Sequence, residues 1–219
     1  MGVFDIIGPV MVGPSSSHTA GAARLGKMAR VILGESPTEA TITLYGSFAR
    51  TYLGHGTDRA LVGGLLGFAP DDLRIKDSLK IATEEGLTFS FVISEQAADH
   101  PNTAEFSLQG ASGNRIGVTG RSIGGGQIVI TKIDSFKVEI TGDYNALITI
   151  HEDKPGIIAE VSRVLSQENI NIAQMKVARQ FRGAEAMMVL ETDHSISKQT
   201  LDTVKNIYGI RSAIVILPL

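Results

Sequence analysis

The chain has 219 residues, 43% of them hydrophobic, with a formal net charge of −3 and no cysteine. That length admits one large or two small domains with a sizeable core. The missing thiols exclude disulfides, a cysteine nucleophile and a thiolate-bound metal cluster on this chain, and the weak negative charge argues against nucleic acid or anionic membrane as a main partner.

No apolar run approaches the roughly 20 residues that a membrane helix needs. The first residues carry no basic segment followed by a long apolar run. No export signal is therefore read, and the cytoplasm is the expected compartment.

Two parts are expected, residues 1–136 and 137–219. The first is glycine-rich with irregular alternation, an α+β pattern. It opens on VGPSSSHTAGAARLGKMAR, starting at Val12. A helix is read from about Ala20 to Leu33, with Leu25, Met28 and Ile32 at helical spacing. EATITLYGS alternates as a strand and DRALVGGLLGF reads as a second helix. LTFSFVIS and TAEFSLQG alternate like paired strands, and NRIGVTGRSIGGGQIVITKID continues as strands around a Gly124-Gly125-Gly126 turn. SFKVEITGDY is a linker or the closing strand of either part.

The second part has a clearer order. NALITIH is a strand and EDKPG a turn. GIIAEVSRVLSQEN is a helix with Ile157, Val161, Val164 and Leu165 on one face. INIAQMKVARQF and EAMMVLETD form a hairpin. SISKQTLDTVKNIYG is a helix capped by Ser195 or Ser197, and IRSAIVILP is a last strand. The order βαββαβ is the split βαβ, ferredoxin-like arrangement. Ile214 and Ile216 near a sheet edge suggest self-association.

Chemistry concentrates in few places. Ser15, Ser16, Ser17, His18 and Thr19 crowd the mouth of the first helix, where one hydroxyl suffices for a cap. Helix N-termini also attract carboxylates and phosphates. The residues leave cap and small-anion site equally open. His55 sits between Gly54 and Gly56, three residues before Asp58. That aspartate either caps a helix or orients the imidazole for acid/base work. His100 stands before a turn-to-strand entry and is structural or lines the same groove. No His/Asp/Glu set has metal-ligand spacing, and SIGGGQ lacks the strand–loop–helix context of a dinucleotide fingerprint.

Four linked motifs, GPSSSHTAG, LYGSFARTYLGHGTD, DHPNTAEF and RSIGGGQI, resemble in order and spacing the beta domain of bacterial iron–sulfur L-serine dehydratases. The beta domain in turn resembles the allosteric substrate-binding domain of some phosphoglycerate dehydrogenases. DKPGIIAEVSRVLSQENINI resembles the signature of an ACT domain. Beta domain plus ACT domain without a catalytic half is similar to the separate beta chain of the two-chain form.

The resemblance implies an enzyme that converts L-serine to pyruvate and ammonia. It implies a four-iron four-sulfur cluster, held by cysteines of a partner alpha chain, acting as Lewis acid on the substrate hydroxyl. It makes His55, supported by Asp58, the expected catalytic residue. Ser15, Ser16, Ser17, His18, Thr19, His100, Asn102 and Gly124, Gly125, Gly126 become candidates for substrate, anion or interface contact. Asp153, Pro155, Gly156, Ile157 and Asn171 become candidates for an ACT ligand, and the ACT domain is expected to pair with another copy. The alternative from a different class is a non-catalytic, amino-acid-sensing regulatory protein.

Overall fold

The computed structural model describes residues 10–219. The very first residues, over which no export signal is read, lie outside the described residues. The chain forms two compact units. One holds everything up to Asp134 with Glu139–Thr141, and the other holds Ser135–Val138 with Gly142–Leu219. No helix among the described residues is long and apolar enough to cross a membrane.

The first unit begins with a π-helical turn, Ser16–Gly21, which runs directly into α1 (Ala22–Leu33). The expected helix is therefore present, but its first turn is wider than an α-turn. Leu25, Met28 and Ile32 are buried as their spacing requires. Strand β1 (Pro37–Leu44) is followed by α2 (Gly46–Thr51), α3 (Thr57–Leu65), a 3₁₀ turn (Leu73–Asp77) and α4 (Ser78–Glu84). Strands β2 (Thr88–Ile93), β3 (Thr103–Gly110), β4 (Arg115–Gly124), β5 (Gln127–Ile133) and β6 (Phe136–Ile140) complete a sheet of order β2-β1-β3-β4-β5-β6.

One pairing differs from the sequence reading. β2 and β3 alternate as expected, but they do not pair with each other. β1 lies between them, parallel to β2 and antiparallel to β3. A parallel neighbour requires a crossover rather than a hairpin, and α2, α3 and α4 occupy that crossover. SFKVEITGDY supplies β6, and the division between the units runs through this strand.

Helices α1 and α3 approach until backbone touches backbone. A Cβ on Gly64 would stand 2.1 Å from the Ala23 carbonyl oxygen, and one on Gly26 would stand 2.2 Å from that of Leu61. Only hydrogen side chains fit there. The glycines that lower helix propensity in DRALVGGLLGF are thus what lets the two helices meet.

The second unit has strands β7 (Asn145–Glu152), β8 (Ile172–Arg179), β9 (Glu185–Thr192) and β10 (Ile210–Ile216) in the order β10-β7-β9-β8. Helices α5 (Ile157–Gln167) and α6 (Lys198–Lys205) complete βαββαβ. Leu147, Val161, Val164, Leu165, Met188, Leu190 and Val204 form its core. Ser197, not Ser195, caps α6 by accepting the Thr200 N–H at 3.1 Å. Ile216 is buried, so β10 offers less free apolar surface than expected. The other edge, β8, exposes Met175 and Val177.

Candidate functional site

Ser15 is the helix cap. Its extended backbone precedes the π-helical turn, and its hydroxyl accepts the His18 N–H at 3.3 Å. The neighbouring hydroxyls are left for other tasks. Thr19 Oγ1 is buried without a hydrogen-bond partner, the state that a buried hydroxyl avoids unless a water or ligand completes it. Ser16 and Ser17 are half-buried.

His18 is held on every side. Its Nδ1 lies 3.3 Å from Ser15 Oγ, and its Nε2 lies 3.1 Å from Ser47 Oγ. Its ring meets Phe48 edge-on at 5.2 Å and His55 edge-on at 4.8 Å. Burial lowers its pKa, and the neighbouring His55 lowers it further. A neutral imidazole is the form that such surroundings favour.

His55 occupies the turn between α2 and α3, with its N–H on the Thr51 carbonyl at 3.0 Å. Gly56 takes the left-handed conformation, φ 68°, that starts α3. The ring of His55 is exposed, so it is the member of the histidine pair that solvent or another molecule can reach. Asp58 is buried in the first turn of α3, and its Oδ1 has no hydrogen-bond partner. Burial raises its pKa. No hydrogen bond joins Asp58 to His55 among the described residues.

The loop before β3 brings in the third motif. The Pro101 carbonyl accepts the N–H groups of Ser47 at 2.6 Å and Phe48 at 3.3 Å. Gly46, at φ 55°, would place a Cβ 2.7 Å from Pro101, so glycine is required at this contact. His100 Nδ1 accepts the Asn102 N–H at 3.2 Å. Burial, then the nearby Arg121, lowers the His100 pKa. Asn102 Oδ1, Arg121 Nε and Ser122 Oγ are buried and unpartnered. Gly124, Gly125 and Gly126 all have positive φ and turn β4 into β5. Arg24 of α1 donates to the Gly126 carbonyl at 2.9 Å and ties that turn to the helix following His18.

The structure thus unites the SSSHT mouth, the GHG turn and the loop at His100 through Ser47, Phe48 and Pro101. Reading the sequence did not single out Ser47 or Arg121 as chemical groups. Both lie inside quoted motifs, but neither carries a spacing signal of its own.

The ACT-part candidates are divided. Asp153 accepts the Gly183 N–H at 2.9 Å and Arg179 Nη1 at 3.1 Å. The first contact does most to lower its pKa. Pro155 is exposed, Ile157 is buried, and Gly156 starts α5 at φ 96°. Asn171 donates to Asp193 Oδ2 at 2.8 Å. The register pairs Arg179 with Ala186 and Ile172 with Thr192, so Asp153 and Asn171 lie at opposite ends of the sheet, about 25 Å apart at ~3.3 Å per residue. One chain does not bring them together. A groove of about 330 Å³ lined by Asn169, His194 and Ser197 lies at the Asn171 end.

Two family models match this chain. The family model described as serine dehydratase beta chain matches residues 2–88, and the ACT domain model matches residues 145–207. A probable L-serine dehydratase beta chain of Bacillus subtilis is 46% identical over 208 residues, covering 95% of this chain and 94% of that one. The L-serine dehydratase beta chain of Peptoniphilus asaccharolyticus is 37% identical, covering 89% and 88%. D-3-phosphoglycerate dehydrogenase of a Synechocystis strain is 27% identical across 88% of this chain but only 35% of its own length. With such identity over nearly the full length of both partners in the first two comparisons, the chain belongs to the L-serine dehydratase beta chain family.

Proposed function

We propose that this chain is the beta subunit of a two-chain lyase that, with a catalytic alpha chain, converts L-serine to pyruvate and ammonia. The observation that carries the reading is the histidine pair. His18 is fixed and half-buried, while His55 touches it edge-on at 4.8 Å and remains exposed. An accessible imidazole braced by a second one is suited to exchange a proton with a molecule presented from outside. Elimination of the serine hydroxyl requires loss of the Cα hydrogen and protonation of the leaving oxygen. The exposure of His55 beside His18 supports assigning it to such a transfer.

The four-iron four-sulfur cluster belongs to the alpha chain in this reading. This chain has no cysteine, and among the described residues no three His, Asp or Glu side chains converge as metal ligands. The residues here therefore do not fit the cluster, and no step on this chain runs through it. Residues 1–136 form the beta domain and 137–219 the ACT domain. The ACT part pairs with a second copy in this reading, supported by the unpaired β8 edge that exposes Met175 and Val177. The chain works in the cytoplasm.

The test is reconstitution. The chain alone forms no pyruvate from L-serine. Added to a cluster-bearing alpha chain, it restores turnover, and His55→Ala abolishes most of it. If a fully assembled complex with His55→Ala turns over normally, the chain is a regulatory amino-acid sensor and not a contributor to catalysis.

A further inference from the structure

We infer that Ser47 is a positioning residue for His18, fixing the imidazole in one tautomer and holding its edge against His55. The inference rests on the proposed role of the histidine pair and deepens it.

The hydrogen bonds around His18 accommodate the Nε2–H tautomer. Ser15 Oγ accepts the backbone N–H of His18 at 3.3 Å. A hydroxyl that accepts this N–H keeps its own hydrogen for His18 Nδ1, also 3.3 Å away. Nδ1 is then the acceptor of the ring. A neutral imidazole carries one hydrogen, so that hydrogen sits on Nε2 and is donated to Ser47 Oγ at 3.1 Å. The shorter of the two contacts is the one to Ser47.

Ser47 itself does not move freely. It stands in the first turn of α2 with its backbone N–H on the Pro101 carbonyl at 2.6 Å. Gly46 beside it is pressed against the same proline. The loop that carries His100 and Asn102 therefore sets where Ser47 Oγ lies, and Ser47 Oγ sets where the His18 ring lies. Both nitrogens of His18 are occupied within the chain. Proton exchange with an outside molecule is left to His55, and His18 supplies a fixed edge against which the His55 ring rests, at 88° between the planes. Burial and the neighbouring imidazole both favour the neutral ring that this arrangement needs.

The experiment uses the full chain labelled with ¹⁵N-histidine, at neutral pH, with long-range ¹H–¹⁵N spectra of the imidazoles. The His18 signals are identified by their loss in His18→Gln. The expected spectrum shows His18 as a single Nε2–H tautomer. Ser47→Ala should move the His18 nitrogen shifts toward a tautomer average, and Ser47→Thr, which keeps the hydroxyl, should restore them. In the complex assembled with alpha chain, Ser47→Ala should lower kcat by roughly tenfold with little change in KM, the size expected for one lost neutral hydrogen bond. Ser47→Thr should recover most of it. An unchanged His18 spectrum in Ser47→Ala, an Nδ1–H tautomer in the unsubstituted chain, or a threonine variant indistinguishable from alanine overturns the assignment. A normal turnover in His55→Ala would instead overturn the proposed function and leave the spectral result standing by itself.

Discussion

The imidazoles of His18 and His55 meet at 88° with their centroids 4.8 Å apart. They belong to different elements. His18 sits in the π-helical turn before α1, and His55 sits in the turn between α2 and α3. Because one ring has both nitrogens bonded within the chain and the other is exposed, the two should respond differently to replacement.

His55→Ala should lower kcat of the assembled enzyme by roughly 10²–10⁴-fold, the range for a lost general acid or base, with assembly unchanged by size. His18→Ala should cost less turnover once excess alpha chain forces assembly, and it should weaken the subunit contact or the binding of small anions. Steady-state kinetics with saturating alpha chain separates the two. Equal losses in both variants would contradict the division of labour.

The isolated chain should stay colourless after anaerobic treatment with iron and sulfide, because it offers no thiolate to a cluster. A visible spectrum after desalting is the measurement. A broad cluster absorbance that survives desalting would count against a cluster held by the partner.

Acid should destabilise the fold through its buried and half-buried histidines. Burial holds His151, His18 and His100 below the ordinary value of 6.5. Between each lowered value and 6.5 the unfolded chain binds more protons than the folded one, so stability falls as the pH drops through that window. His151 is 3% exposed and bonded to Thr149 Oγ1 through Nδ1 at 3.2 Å. The thermal midpoint should fall from about pH 7.5 to about 5.5, and it should fall less in His151→Gln. An identical pH profile for that variant would remove His151 from the account.

Gly64→Ala should destabilise the first unit although alanine is the better helix former by about 1 kcal/mol. The new methyl would meet the Ala23 carbonyl at 2.1 Å and the Lys27 nitrogen at 2.7 Å. Backbone on the far side cannot swing away as a side chain can. A net loss of about 1–3 kcal/mol in urea unfolding is expected. A gain in stability would mean that α1 and α3 are not in close contact.

Self-association should run through β8. Its residues Met175 and Val177 are 38% and 42% exposed along an unpaired edge, and such edges pair unless blocked. Sedimentation of the full chain should show a dimer that Val177→Lys weakens. A monomer at high micromolar concentration would refute it.

The βαββαβ part was largely readable because each of its faces is written in one short segment. Val161, Val164 and Leu165 define the buried side of α5 before any partner is known. The first part was readable only in pieces. The alternation of TFSFVI and TAEFSLQG marks strands, but alternation does not name the neighbour. Only the geometry reveals β1 between them. The site was half legible for a similar reason. Clustered hydroxyls and flanking glycines draw attention to His18 and His55, but nothing in a linear sequence shows the rings touching. Ser47 escaped notice because its role depends on a carbonyl, that of Pro101, fixed by a fold that closes much later in the chain.

The position of β1 has a consequence for how the molecule comes into being. Thr41 on β1 finds Ser90 49 residues away, and Tyr45 reaches Glu105 60 residues away. Neither neighbour of β1 is delivered by a tight turn, so the middle of the sheet must close across long stretches of chain, which is slow. His55 lies within the first of those stretches, and the Pro101 carbonyl that anchors Ser47 lies within the second. A ribosome-bound chain cut short before Pro101 therefore has both histidines synthesised but lacks the carbonyl that anchors Ser47 beside His18. The paired-imidazole site is a late product of folding, present only once the whole central sheet has closed.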